Sequence, residues 1–162
     1  MQLDLALPVR PGEPPLVTEG IPHIQLDQTA SDEMFAKLSA WAFALDGVSE
    51  QPSRASLPGA KALTVSPGLP AHLKRMIVGR EFAHIHPQTN GSGSLHLRLP
   101  TDQASQVVES GWGEWHPFAL ARTMPGMVMV YAPRSEADLE VIKDIIQSSL
   151  AFATRQPAEQ ST

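Results

Sequence analysis

The chain has 162 residues, 42% apolar and 18% charged, a net charge of −5 at neutral pH and no cysteine. That length suits a single domain with a self-sufficient core. The acidic balance excludes a phosphate-neutralising nucleic-acid surface, no apolar run reaches the ~18 residues of a membrane span, and the missing cysteines remove disulfides, thiol nucleophiles and thiolate-held zinc.

Residues 1–30 open with "MQLDLALPVRPGEPPLVTEGIP", where proline recurs too often for regular structure. They predict an extended arm, with neither the charged nor the apolar region of a signal peptide, and a cytoplasmic location is expected. Residues 31–153 read as one α+β domain. In "SDEMFAKLSAWAFALDG", Met34, Leu38, Trp41 and Leu45 form one helical stripe that Gly47 ends. "PGAKALTVSPG" reads as a short strand, and "GLPAHLKRMIVG" as a brief helix with Pro70 in its first turn. A hairpin is expected over residues 80–100. "TDQASQVVESG" predicts a helix capped by Thr101, and "PFALARTMPGMVMVYAP" two strands turned by Pro125 and Gly126. A final helix begins at Ser135 with Asp138 three residues on, and carries Leu139, Ile142, Ile146, Leu150 and Ala153 along one face. Residues 154–162 form a polar tail expected to be disordered. The sum is an antiparallel sheet of about four to five strands with helices on one face, leaving the other face free.

The hairpin "REFAHIHPQTNGSGSLHLRLP" holds three of the six histidines. Alternation puts Phe82, His84 and His86 on one side of its first strand. On the second, Leu95, Leu97 and Leu99 face one way, Ser94, His96 and Arg98 the other. A turn centred on Asn90-Gly91 sets His84 across from His96 and His86 across from Ser94. Glu81 falls on the leucine side, which marks a strand start or a bulge. A lone surface histidine is ordinarily just a tolerated polar residue, but three on one patch beside an arginine suit two kinds of chemistry. Neutral imidazole works as a general base near pH 7, and His84, His86 and His96 form an alternative facial site for a divalent metal such as Zn, Ni or Fe. No acidic ligand is apparent on the patch.

A second constellation, "ESGWGEWHPF", packs Trp112, Trp115, Glu114 and His116 behind two glycines. The indoles either seal the core edge or offer stacking surfaces for an aromatic ligand. His23 and His72 have no such company and read as surface residues. Tyr131 has core packing as its default and a pocket wall as its alternative.

The motifs "EFAHIHP", "GSLHLRLP", "GWGEWHPFA" and "MVYAPR", spread over residues 53–153, resemble the luciferase-domain family of fungal luciferases and bacterial relatives. At fold level the second half is also similar to the two-layer MmcQ/YjbR-like domains. The first resemblance implies oxygenation of a planar, enolisable substrate such as 3-hydroxyhispidin by O₂, without cofactor. His84, His86, His96, His116, Arg98 and Glu114 then stand as catalytic candidates. Trp112, Trp115, Phe82 and Tyr131 stand as substrate-binding candidates. A small molecule and O₂ are the expected partners, with neither nucleic acid nor membrane, and self-association through the free sheet face is an open alternative. A non-catalytic ligand-binding or dimerisation domain is the competing reading.

Overall fold

The computed structural model describes residues 5–155. Apart from its first two residues, the tail expected at 154–162 lies outside the described residues. Helix α1, Asp32–Phe43, starts where Ser31 Oγ accepts the Met34 amide, and helix α4, Glu136–Thr154, starts where Ser135 Oγ accepts the Asp138 amide. Between them run β1 Val48–Pro52, β2 Lys61–Val65, β3 Glu81–Ile85, β4 Leu95–Arg98, α2 Thr101–Glu109, β5 Gly113–Trp115, α3 Pro117–Leu120 and β6 Met127–Val130.

The strands form one six-stranded antiparallel sheet in the order β1-β2-β3-β4-β6-β5. This is the expected α+β arrangement, enlarged by two short edge strands, β1 and β5. The segment "PFALAR" departs from expectation. Pro117 occupies the first helical turn, the His116 ring caps it, and the result is one turn of helix rather than a strand. The stretch around Pro70 likewise contributes only a 3-10 turn, Leu73–Arg75.

One sheet face is the core. Leu95 and Leu97 of β4 and Val128 and Val130 of β6 meet Leu139, Ile142, Ile145 and Ile146 of α4, with Leu38 of α1 and Val107 of α2 closing the flanks. Each such fully buried aliphatic side chain stabilises the fold by about 1.5–3 kcal/mol.

The opposite face is not free. The N-terminal arm folds over it through its own turn, with Val17 bridging Gln25, and hydrogen bonds along its length dock it. Trp112 Nε1 donates to the Pro8 carbonyl at 2.6 Å, the Arg10 amide to the Ser110 carbonyl at 2.9 Å, and the Ala132 amide to Gln25 Oε1 at 3.0 Å. The polar residues beneath are therefore buried. Among the described residues no helix is long and apolar enough to cross a membrane.

His84 pairs directly with His96 across β3 and β4, as the turn predicted. The bulge suspected at Glu81 is present: Leu63 faces Ala83 while Thr64 faces Glu81, so Phe82 is the extra residue. The bulge changes which side each residue serves. Phe82 goes into the apolar core with no exposure, instead of standing beside the histidines, and the Glu81 carboxylate reaches His84.

Candidate functional site

Five of the six histidines converge beneath the arm. His84 is fully buried, and His86, His96, His116 and His23 are 1%, 5%, 3% and 4% exposed. The reading of His23 as a surface residue is thereby corrected. Its ring stacks on His96 with centroids 5.1 Å apart, because the docked arm brings it across 73 positions of sequence.

The polar groups form a row. The Tyr131 hydroxyl donates to Glu114 Oε1 at 3.0 Å, and Glu114 Oε2 lies 3.0 Å from His23 Nε2. His23 Nδ1 lies 3.2 Å from His96 Nε2, His96 Nδ1 is 3.0 Å from His84 Nε2, and His84 Nδ1 is 2.9 Å from Glu81 Oε2. Glu81 also accepts from the Ser53 hydroxyl and the Arg54 amide. Burial pushes the Glu81 carboxyl up, but His84, Arg54 and Ser53 outweigh it and hold the group below its ordinary range. Glu114 behaves alike: burial raises it, while His23 and Tyr131 bring it down on balance. Burial and the Glu114 charge push the Tyr131 phenol above its usual value. The acidic partners that the hairpin seemed to lack are thus supplied by a bulge and by the tryptophan loop.

Two more imidazoles flank His96, each with its ring centroid 4.5 Å away and nearly perpendicular to it. Their hydrogen bonds assign opposite tautomers. The single proton of Ser94 Oγ goes to the Gly91 carbonyl at 2.7 Å, so at 2.7 Å from His86 Nδ1 that oxygen accepts. His86 therefore carries Nδ1–H, and its Nε2 holds the lone pair. His116 is reversed: Nδ1 accepts the Phe118 amide at 3.0 Å, so its neutral ring carries Nε2–H. Burial and the neighbouring imidazoles push His86 down to about 3 and His116 to about 4, and hold His96 well below the usual histidine value. These rings are neutral at physiological pH.

A cavity of about 580 Å³ opens over this cluster, a volume suited to a small organic ligand. His23, His86, His96 and His116 line its polar end. Ile21, Ile24, Leu57, Ile77, Phe118 and Met127 supply apolar wall, and Arg54 stands at the exposed rim.

Several sequence candidates lie elsewhere. Arg98 shares the strand face of His96, but its guanidinium donates to the carbonyls of Lys74, Met76 and Pro125 and ties two loops to the sheet. Trp112 is 2% exposed in the core, with its indole N–H on the arm, and Trp115 packs against the same core. Neither is a cavity wall; Phe118 holds that place, its ring 4.8 Å from His116. Tyr131 acts on the site through Glu114. Ser94 was legible as a neighbour of His96, while nothing in the primary pattern marked His23 or Phe118.

The architecture is thus a small α+β domain with a buried imidazole cluster at the end of a ligand-sized cavity. Residues 79–149 match the family model Luciferase domain, and this segment is similar to that family. The chain is 36% identical over 94 residues to the luciferase of Armillaria mellea, a match covering 56% of this chain and 34% of that protein. It is 30% identical over 147 residues to the luciferase of Neonothopanus nambi, covering 88% of this chain and 51% of the relative. The chain thus spans from about a third to about half the length of these curated relatives. No solved structure matches it. His23 lies outside the family-model segment and completes the site from the arm.

Proposed function

We propose that this chain catalyses O₂-dependent oxygenation of a planar, enolisable aromatic or pyrone, of the 3-hydroxyhispidin kind. The observation that carries this reading is the opposite tautomers of His86 and His116 in one cavity with largely apolar walls. A lone pair and an N–H on the two rings that flank His96, both lining the same cavity, match the two demands of an enol. The lone pair accepts the enolic proton, and the N–H donates to the oxyanion left behind. The remaining enolate is electron-rich. Two electrons of its C=C bond reduce O₂ to the peroxide level as a C–O bond forms, and the enolic proton returns to the distal oxygen to give a hydroperoxide. Burial of the rings keeps water from competing at the anion. The likeness to proteins named luciferase supports the same class of chemistry.

The test is O₂ uptake by the purified chain with a synthetic hydroxypyrone, with products identified by mass spectrometry. Stoichiometric uptake is expected, with kcat reduced about 10²–10⁴-fold in His86→Ala and about 10²–10³-fold in His116→Ala. Binding of the pyrone without any O₂ uptake would leave only a ligand-binding domain.

A further inference from the structure

The hydrogen-bond row leaves an unresolved point between two of its rings. Glu81 accepts three donors and is ionised, so His84 presents Nδ1–H to it and keeps the lone pair on Nε2. Glu114 is held in the same way, so His23 presents Nε2–H and keeps its lone pair on Nδ1. His96 must then donate Nε2–H to His23, which puts its own lone pair on Nδ1. The result is two lone pairs, His84 Nε2 and His96 Nδ1, facing each other across 3.0 Å. Two acceptors do not approach that closely without a cation between or beside them. One ring nitrogen from each of His84, His86 and His96 lies within 4.8 Å of the others, and on His86 the nitrogen left free by Ser94 is Nε2, which holds a third lone pair.

We propose that His84, His86 and His96 bind one divalent transition-metal ion of borderline softness, of the zinc, nickel or cobalt kind. The donor set fits. Neutral imidazoles are the ligands such ions prefer, and metal–nitrogen bonds of ~2.0–2.1 Å set tetrahedral ligand nitrogens about 3.3 Å apart, a slight opening of the present 3.0 Å contact. Each ligand is oriented by an acceptor at its other nitrogen, as metal-bound histidines require: Glu81 behind His84, Ser94 behind His86, and His23 with Glu114 behind His96. Charge also balances. Two carboxylates back the row, so a divalent ion neutralises it, whereas a single shared proton would leave a net negative charge against a buried face. A rival triad, His23, His96 and His116, is equally compact. It fails on tautomer, because His116 Nδ1 accepts an amide and the ring turns N–H, not a lone pair, toward the cluster. Because His86 and His96 line the cavity, the ion's open positions face the ligand space.

This bears on the oxygenase reading without depending on it: His86 Nε2 cannot be ligand and base at once, so in the loaded protein the ion would act as a Lewis acid that makes the enol more acidic, and the base role of His86 belongs to the metal-free chain. Its test needs no substrate. Tag-free protein is stripped with chelator and titrated with Co²⁺, reading the visible bands of the ion and the metal content after gel filtration. One ion per chain with intense low-symmetry bands is expected. His86→Ala should abolish them, and Glu81→Gln should weaken binding about 10–100-fold. His116→Ala should retain full stoichiometry, and circular dichroism verifies the fold of each variant. Absence of binding at micromolar Co²⁺ and Zn²⁺, or binding lost in His116→Ala but kept in His86→Ala, overturns the proposal. Full pyrone turnover by the stripped protein would remove the ion from the reaction while leaving the oxygenase reading intact. Tight metal binding with no pyrone turnover would do the reverse.

Discussion

His23 shows how much one side chain from a distant segment changes the site. Without it, buried His96 Nε2 and half-buried Glu114 Oε2 each lose their partner, and an unpaired buried polar group costs about 1–3 kcal/mol. His23→Ala is therefore expected to lower the free energy of unfolding by an amount in that range, and to leave Tyr131 as the remaining side-chain donor to Glu114 among the described residues. An unchanged midpoint in urea would mean that the ring contributes nothing to the row. At the same scale, Arg98 is a lesson in misplaced charge. Alternation put it on the correct face, but a long guanidinium goes where carbonyls converge, and three loop carbonyls claim it.

Among the elements, the hairpin was the most legible and the arm the least. Strict alternation in "SLHLRLP" and the Asn90-Gly91 turn are local signals, and they yielded the His84–His96 pairing correctly. The bulge at Phe82 was visible only as Glu81 on the wrong side. Its consequence, a core phenylalanine and a carboxylate among the histidines, depends on the neighbouring strand β2. The edge strands β1 and β5 carry no alternating pattern of their own; pairing with β2 and β6 defines them. The arm was unreadable for a related reason. Its fold depends on contacts such as Trp112 to Pro8, more than a hundred positions away. The far end of the arm also comes close to the hairpin turn, where the Ala30 amide donates to the Ser92 carbonyl. Gly93 sits at φ +80°, and a methyl there would stand 2.7 Å from Ala30 Cβ, where the arm meets the turn. Gly93→Ala is expected to destabilise the protein by about 1–2 kcal/mol. It should also raise hydrogen exchange across residues 16–30, and exchange unchanged in the arm would show that the turn does not hold it.

Across the whole molecule, the neutral histidines make stability depend on pH. Folded His86 and His116 protonate only near about 3 and about 4, against 6.5 for a free ring. Between those limits the unfolded chain binds more protons, so stability falls as pH falls, by about 1.4 kcal/mol per pH unit for each such ring. Glu81 and Glu114, held below their ordinary values, add loss in the same direction at lower pH. Metal-free protein should therefore unfold at clearly lower urea at pH 5 than at pH 7. Equal midpoints would contradict neutral burial of the cluster.

The proposed chemistry requires the two flanking imidazoles to be neutral and oppositely protonated, which long-range ¹H–¹⁵N NMR on histidine-labelled, metal-free protein reads directly. At pH 6 the expected spectrum shows His86 with its proton on Nδ1 and His116 with its proton on Nε2. Two imidazolium patterns, or the same tautomer in both rings, would remove the base and donor pair on which the proposed chemistry stands.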